Sequence, residues 1–236
     1  MIIAGLQKVT LLDFPGRVAA SLFLAGCNLR CGFCHNRWMI DLAGVRPALT
    51  VEQFLTWLGG RQGLLDGVCV SGGEPTLWGD ELAELLRAVR ALGLETKLDT
   101  NGTRPHVVAA LFDEGLLDYV AMDVKAPLDE RYALLAGCPV DLDAIRATMA
   151  LLRDRCVDGV AYEFRTTVAP QLGEDDLRDI AASLTSRDPW YLQAYLETPQ
   201  VDPAYAGQPH LTAEALQAIA RSLRAKGWQV ALRSED

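Results

Sequence analysis

Six short apolar runs recur along the chain: Val18 to Ala25, Gly67 to Ser71, Glu95 to Thr100, Tyr119 to Val124, Tyr162 to Val168 and Trp190 to Ala194. Each has the length and bounded character of a buried strand. The stretches between them carry apolar residues at helical spacing, with start and stop signals. Thr50-Val51-Glu52-Gln53 has the spacing of a capping box ahead of Phe54, and the segment Gly79 to Leu92 stops at Gly93. Further helices are expected over Pro105 to Gly115, Asp141 to Arg155, Glu174 to Leu184 and Thr212 to Lys226.

Strands that alternate with helices and are apolar on both faces predict a parallel sheet with helices outside. Six such units fall short of the eight that close a full barrel. The expected architecture is therefore α/β, a single domain over residues 1–236 built as an open, partial (β/α)6 TIM-like barrel. Polar and glycine-rich pieces follow the strands, where parallel α/β folds place their active sites. The proline-containing segment Glu197 to Pro209 reads as a long loop of the kind that often carries function.

The 236 residues are half apolar, enough for a substantial core. No apolar run approaches the roughly 18 residues of a membrane span, and the start Met1-Ile2-Ile3-Ala4-Gly5-Leu6 lacks a basic, cleavable leader. A cytoplasmic protein is expected. The net charge of -9, with 22 basic against 31 acidic residues, argues against a nucleic-acid binder. Small molecules or a protein partner fit better. In a cytosolic chain, six cysteines suggest metal binding more than disulfides.

Three of those cysteines, Cys27, Cys31 and Cys34, lie within one eight-residue stretch. A cubane iron–sulfur cluster is normally held by four thiolates, so three leave one iron open to a substrate. Phe33 is placed to shield the centre from water. A structural zinc site completed by His35 or a distant ligand is the alternative for the loop alone. After the second strand, Ser71-Gly72-Gly73-Glu74-Pro75 has paired glycines that let the backbone approach a ligand closely, or form a tight turn. Asp99-Thr100-Asn101-Gly102 ends the third strand with short polar side chains. Asp123 and Lys125 stand two residues apart, on one face of the fourth strand, as do Glu163, Arg165 and Thr167 on the fifth. An arginine turned inward there needs an anionic partner.

The Cys-x3-Cys-x2-Cys spacing with an aromatic before the third cysteine, followed by Gly72-Gly73-Glu74-Pro75, resembles the radical S-adenosylmethionine (SAM) superfamily. The opening from Gly5 to Gly16, then Cys34-His35-Asn36, Asp99 to Gly102 and Met122 to Lys125, resembles the glycyl-radical-enzyme activating enzymes. Among them it is most similar to the anaerobic ribonucleoside-triphosphate reductase activating proteins, over nearly the whole chain.

The resemblance implies that Cys27, Cys31 and Cys34 bind three irons of a 4Fe-4S cluster whose fourth iron takes S-adenosylmethionine. Phe33, Asn36, Ser71, Gly72, Gly73 and Glu74 would surround the cofactors, and Asp99, Asn101, Asp123, Lys125 and Arg165 would contact S-adenosylmethionine. A monovalent cation on Asp99, Thr100 and Asp123 is also implied. The implied reaction takes a hydrogen atom from a glycine of a partner glycyl radical enzyme, with a flavodoxin or ferredoxin as reductant, and residues 195–236 facing the partner. A radical enzyme acting on a small molecule, like the carboxy-deazaguanine synthases, is the alternative within the superfamily. Only about fifteen residues separate Cys34 from Thr50, too few for the ferredoxin-like insert that many activating enzymes carry. Cys69, Cys138 and Cys156 lack ligand spacing and read as buried structural residues.

Overall fold

A computed structural model of the chain describes residues 1–156 and 159–233. The strands are β1 (Ile3–Thr10), β2 (Ala19–Leu24), β3 (Gly67–Gly72), β4 (Glu95–Thr100), β5 (Tyr119–Asp123), β6 (Ala161–Val168), β7 (Trp190–Ala194) and β8 (Val230–Leu232). The helices are α1 (Val51–Gly59), α2 (Gly79–Ala91), α3 (Pro105–Asp113), α4 (Glu130–Ala136), α5 (Leu142–Arg155), α6 (Glu174–Ser183) and α7 (Ala213–Ala225). All six expected strands are present as β2 to β7. β1, β8 and α4 are additions.

The chain forms two compact units, each assembled from separated segments: residues 1–28, 38–121 and 144–161 in the first, and 29–37, 122–143 and 162–236 in the second. In the first unit, β1 pairs antiparallel with β2, and β2, β3 and β4 pair in parallel. Their inner residues, including Ala20, Leu22, Val68, Val70 and Leu98, have no exposed surface. Helix α1 begins at the expected capping box: Gln53 N donates to Thr50 Oγ1 at 3.1 Å and Thr50 N donates to Gln53 Oε1 at 2.8 Å. A cap of this kind is worth roughly 0.5–2 kcal/mol.

In the second unit, β6, β7 and β8 pair in parallel. Trp190 is buried at the start of β7 and donates from Nε1 to Thr166 Oγ1 at 3.0 Å. Helix α4 has only seven residues; Asp129 accepts from Arg131 N at its start, and Gly137, with φ of 69°, ends it. No helix among the described residues is long and apolar enough to cross a membrane.

Candidate radical site

In the first unit, the chain enters the cysteine segment from β2. Gly26 N donates to Met39 O at 2.8 Å and Cys27 N to Ile40 O at 3.0 Å, which ties the start of the loop to its return. The end of β3 lies directly against this entry: Gly73 N donates to Leu24 O at 2.8 Å and Glu74 N to Gly26 O at 2.7 Å. A Cβ at Gly73 would sit 2.1 Å from Gly26 O, and one at Gly72, whose φ is +122°, would sit 2.4 Å from Leu24 N and O. The paired glycines therefore admit the close approach of the Leu24 to Gly26 backbone.

Glu74 is fully buried, and protein donors meet both of its oxygens. Oε1 accepts from Thr76 N, Thr76 Oγ1 and Thr100 Oγ1 at 3.1, 2.5 and 2.8 Å, and Oε2 accepts from Asn101 N at 2.6 Å. Burial pushes its carboxyl above the usual carboxylate range, against the pull of these bonds. Glu74 thus braces the end of β3 to the end of β4. Asn101 has a similar framework role. Its Nδ2 donates to Asn28 Oδ1 at 2.9 Å and lies 3.9 Å from Cys27 Sγ, so its amide supports the first cysteine.

On β4, Asp99 Oδ2 accepts from Ser71 Oγ at 3.0 Å, and Oδ1 is ion-paired with Lys97 Nζ. The Asp99 side chain keeps 14% of its surface exposed, and Thr100 is buried under Glu74. Sequence reading passed over Lys97, although its two-residue spacing from Asp99 repeats that of Asp123 and Lys125.

In the second unit, Cys31 and Phe33 are buried and Cys34 is half-buried, with Cys34 N donating to Cys31 O at 3.2 Å. Burial raises the thiol pKa of Cys31 and of Cys34. Nearby Lys125 acts in the opposite direction on both, and the backbone N–H of Asn36 supports the Cys34 sulfur. Asp123 lies between two cations: Lys125 Nζ is 3.3 Å from Oδ2, and Arg165 Nε donates to Oδ1 at 3.0 Å. The inward arginine has its anionic partner here. Lys125 Nζ also lies 5.9 Å from the Phe33 ring centre.

The segment after β7 clasps the cysteine loop. Asp202 N donates to Gly32 O at 2.8 Å, Arg37 pairs with Asp202, and His35 Nε2 lies 3.0 Å from Leu196 O. Tyr205 packs against Phe33 with ring centres 6.4 Å apart. His35, one of the candidates for a zinc site's fourth ligand, lies against the backbone of this strap. Among the described residues no three His, Cys, Asp or Glu side chains are grouped to hold a metal ion, the arrangement one zinc requires. All six cysteines are free thiols. Of the three read as buried, only Cys69 is; Cys138 and Cys156 are half-buried, and burial pushes the Cys156 thiol up to about 12.

The family description Radical SAM superfamily matches residues 21–184, most of the chain. The chain belongs to the radical SAM superfamily. Radical SAM enzymes use a 4Fe-4S cluster and S-adenosylmethionine. The chain is 34% identical to MJ1227 of Methanocaldococcus jannaschii, a candidate glycyl-radical enzyme activating enzyme, over 82% of this chain and 80% of that one. It is 29% identical to the pyruvate formate-lyase 1-activating enzyme of Escherichia coli K12, over 70% and 66%. Similarity to the 7-carboxy-7-deazaguanine synthase of Hyperthermus butylicus is 38% but covers only 39% and 38%. The structure of Streptococcus suis SuiB bound to S-adenosylmethionine superposes with a TM-score of 0.68 at 15% identity, covering 90% of this chain. The chain spans about half the length of SuiB, 51%. This likeness gives the fold, the α/β class with a parallel sheet shared by radical SAM enzymes.

The residues present fit a cluster. Three thiols lie within eight residues without disulfides, two of them shielded from water beside an ammonium group, with amide donors near Cys27 and Cys34. Each thiolate of a cubane binds its own iron, so the sulfurs need not converge on one point. For the implied monovalent cation, Asp99 already carries Lys97, and Asp123 already carries Lys125 and Arg165. An added cation would compete with these groups.

Proposed function

We propose that this chain is an activase that installs a glycyl radical on a partner enzyme, an anaerobic ribonucleoside-triphosphate reductase. One observation carries the choice of chemistry over other radical SAM reactions. The likeness to MJ1227 runs through four-fifths of both chains, whereas the likeness to a small-molecule synthase covers two-fifths. The choice of reductase rests on the motif resemblance across Gly5 to Gly16, Cys34 to Asn36 and Asp99 to Gly102.

In this reading Cys27, Cys31 and Cys34 hold three irons as thiolates. Once bound, the cluster and S-adenosylmethionine supply the carbon-centred radical that takes a hydrogen atom. The chain's own residues prepare the setting. The Asn101 amide supports Cys27, the Asn36 N–H supports Cys34, and Lys125 offsets negative charge gathered at Cys31 and Cys34. Phe33 and Tyr205 exclude water from the cysteine loop. Asp99 and Ser71, at the ends of β4 and β3, meet polar groups of S-adenosylmethionine. The hydrogen donor is a backbone glycine Cα on a loop of the partner, and a flavodoxin or ferredoxin supplies the electron.

The test is to mix the reconstituted, reduced protein and S-adenosylmethionine with the host's anaerobic reductase and record an electron paramagnetic resonance spectrum. A glycyl doublet on the reductase supports the assignment. A doublet on another glycyl radical protein alone reassigns the partner. If no glycyl protein of that genome gives a doublet while S-adenosylmethionine is still cleaved, the substrate is a small molecule.

A further inference from the structure

Lys97 has no exposed surface, although it carries a charge that water would otherwise solvate. It lies directly opposite Cys69 in the β3–β4 register, with Nζ 3.6 Å from Cys69 Sγ and 5.6 Å from the Tyr119 ring centre. Two residues on and on the same face, Asp99 closes the ion pair. Lys97 holds one oxygen of that carboxylate while Ser71 Oγ holds the other at 3.0 Å, which fixes both its plane and its direction. The outer end of the arrangement is Asp99, partly exposed at the carboxyl end of a parallel strand.

We propose that Lys97 is a positioning residue for S-adenosylmethionine, a buried ammonium that orients the Asp99 carboxylate toward the ligand's polar groups. This rests on the reading of Asp99 as a ligand contact. If only the fold were served, an apolar pair of similar volume would do as well, because buried ion pairs are weak contributors to stability. A fully buried cation tied to a carboxylate that reaches the surface makes sense where the carboxylate has work to do.

The experiment compares cluster-loaded wild type with Lys97→Met, Asp99→Asn and the double variant. It measures S-adenosylmethionine binding by equilibrium dialysis, iron content and the thermal midpoint. Lys97→Met and Asp99→Asn should each weaken binding about 10- to 100-fold, as loss of outer partners of a binding group commonly does, with iron content held. The double variant should bind as Asp99→Asn does, since Lys97 acts through Asp99. Wild-type affinity in folded Lys97→Met overturns the proposal, and so does a further loss in the double variant. Should Lys97→Met fail to fold, Lys97→Gln, which keeps a polar group beside Asp99 without the charge, takes its place: weakened binding supports the proposal and wild-type affinity overturns it. Wild-type affinity in Asp99→Asn instead overturns the assignment of Asp99 itself.

Discussion

Tyr205 fills the space that a side chain at Gly32 would need: a Cβ there would lie 2.2 Å from Tyr205 Cε2 and 2.9 Å from Cδ2 and Cζ. Position 32, between Cys31 and Cys34, is therefore glycine because an aromatic ring from the strap lies on it.

Gly32→Ala should push that ring away and loosen the strap, at a cost of about 1–3 kcal/mol typical of overpacking. Denaturant unfolding reads the loss, and limited proteolysis should cut residues 196–209 faster. Adding Tyr205→Ala should relieve the clash. If Gly32→Ala unfolds like wild type, the packing of Tyr205 on the loop does not contribute to stability.

Glu74→Gln should destabilise the protein by about 1–3 kcal/mol at neutral pH. Each Glu74 oxygen accepts a backbone N–H, from Thr76 or from Asn101, so either orientation of the amide sets its NH2 against a donor. Thermal unfolding checks the loss, and an unchanged midpoint would contradict the bracing role.

Asn101→Ala removes the amide beside Cys27 Sγ. Hydrogen bonds to cluster sulfurs favour the reduced, more negative state. Redox titration of the reconstituted variant should therefore find a more negative midpoint than wild type. An equal or more positive midpoint would remove Asn101 from the cluster's support.

Cys31 and Cys34 have thiols raised by burial, so their contribution to apo-protein stability is fully present below the ordinary thiol range and lost as pH rises through the raised values. Metal binding needs the thiolates and releases protons, so it tightens as pH rises. Apo-protein stability should hold up to the ordinary thiol pKa of about 8.5 and fall as pH rises above it, while iron affinity increases as pH rises toward that value. Parallel trends would show that these thiols are not the groups that titrate.

The parallel units were legible because strand-like runs, mostly apolar in β2, β3, β5 and β7, alternate regularly with amphipathic stretches. β1 was not, since Gln7, Lys8 and Val9 are exposed on an edge strand and break the pattern. β8 is three residues long, and α4 is too short to show helical periodicity. At the site, the residue types were legible but their division of labour was not. The bracing by Glu74 was not legible because its four protein donors come from segments that meet only in the fold. Lys97 had a local signal, its spacing to Asp99, but a lysine within a strand run reads as a surface residue. Tyr205 on Gly32 had none, with 172 residues between them.

The central claim is tested most directly by anaerobic reconstitution with iron and sulfide, reduction, and chromatography for 5′-deoxyadenosine formed from S-adenosylmethionine. Wild type and Cys69→Ala should form it, while Cys31→Ala should lose both the brown chromophore and the product. Stoichiometric zinc with no 5′-deoxyadenosine from the wild-type protein would contradict the account.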